Sequence, residues 1–306
     1  MVSKVTSAAL VLFLGTMAFA ADDAVQLTWE FQKDKTIYQE MKTSTKQTIK
    51  YQGMDTVQNE SDTFVFSMTP QEVDKDKNWI ILEKLESFQI SIDNGGTTTT
   101  YGSNKALVGS EFKLAISPAP NFGVRWVDSY DDFAKKLVKA NPQMEAGLKI
   151  IVGNDRIRQM VSVAFVDFPT KSVKKGYTWT KDMPPNMTAL GGFKDVNKFT
   201  YEGRDGKLDK IKVDTTFTMT PPTAAASAAV LPFKVKSAKL TSKIFHGTIL
   251  FDNEKHRMDS MKDKMTLEGK MDLDNGGKLM SVDYAREEKT DVNITDTNPL
   301  ATPAKK

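Results

Sequence analysis

The chain predicts a β-dominated α+β fold, half-barrel-like, in which curved antiparallel meanders flank two or three central helices. Three observations carry that expectation. Apolar and polar residues alternate with period two over most of the chain from residue 25 onward, as they must in a strand whose successive side chains point to opposite faces. Clusters rich in Asp, Asn and Gly separate the alternating runs, and these residues tolerate the positive φ that tight hairpins demand. Only between residues 129 and 164 does the apolar spacing turn helical.

Residues 1–20 read as a cleavable export signal. Lys4 supplies the positive end, residues 8–17 the apolar stretch, and Ala18-Phe19-Ala20 the small-x-small site, with cleavage expected after Ala20. The chain contains no cysteine, so no lipid-anchored product forms at the cut and no disulfide braces the fold outside the cytoplasm. Residues 21–128 form the N-terminal meander. Val25, Leu27, Trp29 and Phe31 alternate with Gln26, Thr28 and Glu30, and the pattern returns at Phe64, Phe66 and Met68, at Phe88, Ile90 and Ile92, at Phe112, Leu114 and Ile116, and at Phe122, Val124 and Trp126. The apolar phase changes parity around Lys84 to Glu86, which predicts a bulge or bend there, because otherwise the buried face would flip.

The stretch 129–164 is the predicted helical centre. Tyr130, Phe133, Leu137 and Val138 recur at helical spacing behind an Asp128-Ser129 cap, and Asn141-Pro142 ends that run. A second run carries Met144, Leu148, Ile151 and Val152, and a third, after Gly153-Asn154, carries Ile157, Met160 and Val161. Residues 165–296 form the C-terminal meander, with Phe199 and Tyr201, then Ile211, Val213, Phe217 and Met219, as alternating sets. Its cleanest strand places Met261, Met265, Leu267, Met271 and Leu273 on one parity and Lys262, Lys264, Thr266, Glu268, Lys270 and Asp272 on the other. Pro221-Pro222 and the alanine-rich residues to 230 read as a surface loop, and residues 297–306 as a disordered tail. Asp-Asn-Gly-Gly at 93–96 and again at 274–277 closes a hairpin in each meander; the repeat is too weak to separate a duplication from two unrelated meanders.

Charge narrows the function classes. The 42 basic and 39 acidic side chains give a net charge of +3, lowered further when Lys4 leaves with the signal. The only compact basic pairs, Lys135-Lys136, Lys174-Lys175 and Lys305-Lys306, are too small to track a phosphate backbone, so nucleic acid is not an expected partner. No second apolar run reaches the 18 or so residues of a membrane-spanning helix, so the cleaved chain is not expected to span a membrane; it is expected to be periplasmic or secreted.

Catalytic and metal-binding patterns are sparse. His246 and His256 are the only histidines and lack the converging ligands a metal needs. Asp272-Leu273-Asp274-Asn275-Gly276 resembles a calcium loop, but its glycine comes one position early and no bidentate glutamate follows. Neither a Gly-x-Ser-x-Gly elbow nor a phosphate-cradling glycine loop occurs. Asp128, Asp131 and Asp132 form the densest acidic cluster; a helix start, with its cap and dipole, accounts for all three without chemistry, and a carboxylate-based hydrolase is the third-ranked reading. The chain is therefore expected to be no enzyme and to need no cofactor or metal. Its 15 methionines point elsewhere: Met261, Met265, Leu267, Met271, Phe217 and Met219 would give the apolar sheet face a pliable lining suited to a hydrophobic ligand, or fill an irregular core.

Several segments taken in order carry a likeness: LVGSEF at 107–112, ANPQM at 140–144, VKKGYTW at 173–179, YEGRDG at 201–206, LPFKVK at 231–236, GTILFD at 247–252 and TDTNPL at 295–300. Behind an export signal they resemble a family of exported bacterial proteins known only as a domain of unknown function. The resemblance spans nearly the whole mature chain and implies no catalytic residues. Pro118-Ala119-Pro120 departs from it, standing where a plain Asp/Gly hairpin is expected. A weaker, fold-level similarity is to periplasmic lipoprotein carriers, whose curved sheet wraps helices and holds acyl chains. The leading functional expectation is non-enzymatic binding of a hydrophobic or amphiphilic envelope component, with a lipid or lipoprotein as ligand. The alternative is a structural or protein-interaction module of the envelope, with an envelope protein as partner.

Overall fold

The computed structural model describes residues 24–102, 108–118, 122–128, 164–183, 191–220 and 234–301, with short pieces at 131–132, 135–136, 139, 158, 161–162 and 186–188. Among the described residues thirteen strands follow in chain order: β1 Ile37–Tyr51, β2 Met54–Val73, β3 Trp79–Asn94, β4 Thr97–Gly102, β5 Glu111–Ser117, β6 Gly123–Asp128, β7 Thr178–Asp182, β8 Asn186–Thr188, β9 Gly191–Asp205, β10 Leu208–Thr220, β11 Lys234–Asp252, β12 Arg257–Asn275 and β13 Lys278–Thr295. They form one sheet in the order β6-β5-β3-β2-β1-β13-β12-β11-β10-β9-β7, with β4 paired to β3 and β8 to β9.

The expected α+β class is overturned, because among the described residues the fold is one β-sheet and every element they complete is a strand, with helical backbone only at scattered positions between 131 and 162. The physical reason is the pairing of β1 with β13, from Tyr38↔Thr295 to Lys50↔Asp283. It fuses the two meanders edge to edge, so they do not stand on either side of a helical layer. The predicted helical stretch 129–164 lies almost wholly outside the described residues; of its described members, Val161 and Ala164 are fully buried in the main core. The predicted first strand is corrected as well. Val25 makes only an isolated bridge to Val173, and the alternation that follows it reflects an extended segment packed inside the sheet, which needs one apolar side as much as a strand does.

Local chemistry explains the rest. In the two Asp-Asn-Gly-Gly hairpins, Asp93 Oδ1 accepts the Gly96 N–H at 2.9 Å and Asp274 Oδ1 accepts the Gly277 N–H at 2.7 Å, while Gly276 and Gly277 take φ of 61° and 92°, open to glycine at no steric cost. The predicted bulge is present: Val65 faces Ser87 and Phe66 faces Leu85, leaving Glu86 as the extra residue. Its carboxylate accepts a hydrogen bond from Ser67 Oγ at 2.8 Å and lies 3.2 Å from Lys84 Nζ.

The sheet curls back on itself. Phe122, just before β6, and Phe251 of β11 stand seven strands apart in the sheet order, roughly 34 Å on a flat sheet at the usual strand spacing. Yet Trp29 touches both, with ring centroids 5.9 and 6.2 Å away. Across the seam between the two sheet edges, Lys181 Nζ of β7 donates to the Phe122 carbonyl at 2.9 Å and pairs with Asp167 at 3.2 Å. The base of the interior is filled by Trp29, Phe31, Phe122, Phe165, Phe168 and Phe251. The outer face is the opposite in character, with Lys42–Glu40, Lys264–Glu287, Lys289–Glu287 and Lys270–Asp283 pairs at 2.9 to 3.7 Å. Such a charged exterior is the inverse of a lipid-facing barrel surface, and no described helix is long and apolar enough to cross a membrane.

Candidate functional site

Rows of side chains crossing the inner face of the sheet can be read directly from the strand registers. Near the base one row runs Phe64, Met41, Val292, Met261, Ile249, Ile211 and Tyr201, a continuous apolar layer. The next row up is different: Asp62, Thr43, Thr290, Asp263 and Gly247 lead to Val213. Above it Thr45 faces Glu288 and Glu288 faces Met265, and above that Gln47 faces Arg286 and Arg286 faces Leu267. Higher still the face turns apolar again, where Val235, Ala238, Leu240, Met271, Leu273, Val282 and Tyr284 form a second buried cluster. A polar, ionisable belt thus lies between two apolar zones on a single face.

The belt is held by its own contacts. Arg286 pairs with Glu288 through Nε at 3.2 Å and through Nη2, Thr45 Oγ1 donates to Glu288 at 3.5 Å, and the Tyr284 hydroxyl donates to Gln47 at 3.1 Å. Burial works against the charge on Arg286, but the Glu288 carboxylate beside it keeps the guanidinium pKa above its ordinary value. Burial pushes the Asp263 carboxyl up to about 7, with the charges of Glu288 and Asp195 adding to the shift. Asp195 is raised by burial too, and its Oδ1 has no hydrogen-bond partner among the described residues. Gly247 makes room for this chemistry, since a Cβ there would lie 3.2 Å from Asp263 Oδ1 and 2.8 Å from the Lys262 carbonyl.

Beside the belt the sheet splits. The β10–β11 ladder runs from Asp209↔Phe251 to Asp214↔His246, whereas β10 stays paired to β9 as far as Thr220↔Gly192 and β11 to β12 as far as Lys234↔Asp274. Phe217 and Met219 stand on one side of the split, with Phe193 stacked on Phe217 at 5.0 Å, and Phe245 stands on the other, opposite Met265.

The six residues singled out from sequence therefore do not make one patch. Met261 packs against the basal core, Met271 is buried in the upper cluster and Met219 packs against that cluster. Met265 and Leu267 fall within the belt, opposite Glu288 and Arg286, and Phe217 pairs with Asp195 in the β9–β10 ladder, beside the split. Sequence reasoning missed Asp263, Arg286 and Glu288. The signal was present, because Asp263 shares the parity of Met261 and Met265, and Arg286 and Glu288 that of Val282 and Val292; a charge at an apolar position marks an interior polar site. His246 is exposed on β11 and His256 sits in the β11–β12 turn, its Nε2 3.9 Å from Glu30. Asp128, Asp131 and Asp132 are all exposed.

A model of DUF6263, a family of unknown function, matches residues 76–271. No curated protein matches the chain. Among solved structures, lipovitellin, studied for its lipid–protein interactions, aligns with 90% of this chain at 9% identity and a TM-score of 0.41, and the chain spans only 27% of lipovitellin's length. A DUF1329 family protein from Desulfovibrio piger aligns over 88% of both chains at 9% identity and a TM-score of 0.17. A putative outer membrane lipoprotein-sorting protein domain from Vibrio parahaemolyticus aligns over 86% of this chain and 87% of its own, at 7% identity and a TM-score of 0.13. These scores lie below the level at which a likeness carries an argument about function.

Proposed function

The chain belongs to DUF6263, a family of unknown function matched across residues 76–271, and from that starting point we propose that it is an exported, non-enzymatic binder of an amphiphilic component of the cell envelope. One observation carries the reading: half-buried apolar side chains, Phe193, Phe217, Met219 and Met265, stand on the same face as the ionisable belt and next to it. Burying carboxylates beside apolar residues is costly for stability alone. A ligand with a polar head and an apolar body has use for both. The body lies against Met265, Phe217, Met219 and Phe193, where methionine adapts to a flexible chain, and the head meets Asp263, Arg286 and Glu288. Export rests on residues 1–20, with their basic end, apolar stretch and Ala18-Phe19-Ala20 site.

Native mass spectrometry of protein recovered from its own envelope, paired with titration of a fluorescent long-chain fatty acid, tests the proposal. A retained amphiphile and saturable probe binding are expected, with Phe217→Asp weakening the probe at least about tenfold and Lys262→Ala on the outer face leaving it unchanged. Protein that carries nothing and binds no probe would sink the reading. A second reading, an envelope interaction module, draws on Met54 and Leu279, 66% and 68% exposed on neighbouring hairpins; it predicts a partner protein, and no small molecule, in the same mass spectra.

A further inference from the structure

Residues 24–35 cross the base of the curled sheet without joining it. At one end Val25 and Val173 exchange both backbone hydrogen bonds, at 2.9 and 2.8 Å. At the other, the Glu30 N–H donates to the His256 carbonyl at 3.0 Å and the Asp34 N–H to the Pro70 carbonyl at 2.8 Å. Between these fastenings, residues 26–29 make no backbone hydrogen bond among the described residues. What mainly holds the segment is the alternate set of Val25, Leu27, Trp29 and Phe31, all turned into the basal core, helped by exposed Gln26, whose amide donates to the Pro169 carbonyl at 3.3 Å and accepts from Ser172 Oγ at 3.5 Å. Trp29 packs on Phe31, Phe122, Phe165 and Phe251 with ring centroids 5.5 to 6.2 Å away. Its indole Nε1 is buried with no hydrogen-bond partner among the described residues, although a buried indole N–H usually finds one.

A segment fastened by apolar contacts and few backbone bonds opens locally at a lower free energy than the ladders around it. Its contacts are also the kind that an alkyl chain makes: non-directional, interchangeable and proportional to area. We propose that residues 24–35 are a displaceable strap, which occupies the base of the interior and yields it to the apolar body of a bound amphiphile. The strap swings about Asp34, where it runs into β1, and Val25 leaves Val173. Displacement exchanges one set of apolar contacts for another, so its net cost is small. The assignment of an amphiphile as the displacing ligand rests on the function proposed above; the mobility of the strap does not.

The absence of native cysteine makes a direct test available. Val25 and Val173 form a hydrogen-bonded antiparallel pair, whose Cα atoms are about 5.5 Å apart in such pairs, within disulfide reach. In the double variant Val25→Cys, Val173→Cys, oxidation should weaken binding of the fluorescent long-chain fatty acid at least about tenfold, and reduction should restore it, which also shows that the variant folds. In the unmodified protein, hydrogen exchange at the bonded amides of Val25, Val173 and Glu30 should outrun exchange in β1 and β13, and the probe should quicken it further. Equal binding by the oxidised and reduced forms would overturn the strap's role as a gate. If no form binds the probe, the ligand reading falls, and exchange alone then decides: fast exchange of the bonded Val25 and Glu30 amides without unfolding keeps the strap displaceable, and protection equal to that of β1 ends the idea.

Discussion

Glu83 is fully buried between Met68 and Phe112, and neither of its carboxylate oxygens has a hydrogen-bond partner among the described residues. Burial pushes its pKa up from 4.5 to about 8, so near neutral pH it sits in the core mainly as the neutral acid. The folded state then holds a proton that the unfolded state has released. Its contribution is whole below the unfolded value near 4.5 and is lost as pH rises toward 8, at up to about 1.4 kcal/mol per pH unit. Urea midpoints across pH 5 to 9 should fall for the native protein and fall less steeply for Glu83→Gln. Glu83→Met should stabilise most at the alkaline end, since it removes the ionisable group and keeps the volume. A native and a Gln variant with parallel pH profiles would contradict this. Asp263, raised to about 7, loses its contribution in the same direction, so Asp263→Asn should flatten the remaining slope, read by the same midpoints.

Among the described glycines, Gly269, paired with Leu240 in the β11–β12 ladder, leaves the least room for a side chain. A Cβ at Gly269 would lie 2.0 Å from the Lys239 carbonyl oxygen, a backbone atom that cannot swing aside. Across the β12–β13 ladder Gly269 faces Tyr284, 2% exposed, so the ring covers the missing side chain as aromatic residues do for glycine in curved sheets. Gly269→Ala is expected to cost at least about 2 kcal/mol. Gly53→Ala is the comparison: its φ of +81° is strained for alanine, but nothing stands within 4 Å, and the cost should stay near 1 to 2 kcal/mol. Chemical denaturation of the two variants checks the order. The β11–β12 ladder also carries three register irregularities, which bend the sheet over the belt.

At the level of the whole molecule, β1 meets β13 across nearly the full length of the chain; Thr43 and Thr290, 247 residues apart, lie 3.5 Å from each other through their hydroxyls. No meander can complete its buried face until both ends of the chain are present. Far-UV and near-UV circular dichroism should therefore report one coincident unfolding transition, and refolding should take milliseconds to seconds or longer, as dominated by non-local pairing. Removing β13 leaves β1 and β12 each with one unpaired edge, so a chain ending at 277 should aggregate where the complete chain stays monodisperse by light scattering. Two separate transitions would argue against a single fused sheet.

Sequence alone determined the alternating cores of β2, β3, β5, β10 and β12, the Asp-Asn-Gly-Gly hairpins and the bulge at Glu86, because each is written within a few neighbouring residues by side-chain period and by tolerance of positive φ. The same local signals misled at 25–31, where alternation suggested a strand and the chain is an extended segment with one isolated bridge; the α+β class built on the helical spacing at 129–164, most of which lies outside the described residues, gave way to the single described sheet. The belt was half-legible, since Asp263, Arg286 and Glu288 interrupt apolar parities, but which strands bring them together depends on the β1–β13 and β12–β13 registers. Only the tertiary structure decided those registers, the curl that lets Trp29 touch Phe122 and Phe251, and the placing of ionisable groups between two apolar zones. Pairing and closure depend on contacts between residues hundreds of positions apart, and period-two patterning carries no information about which strand lies next to which.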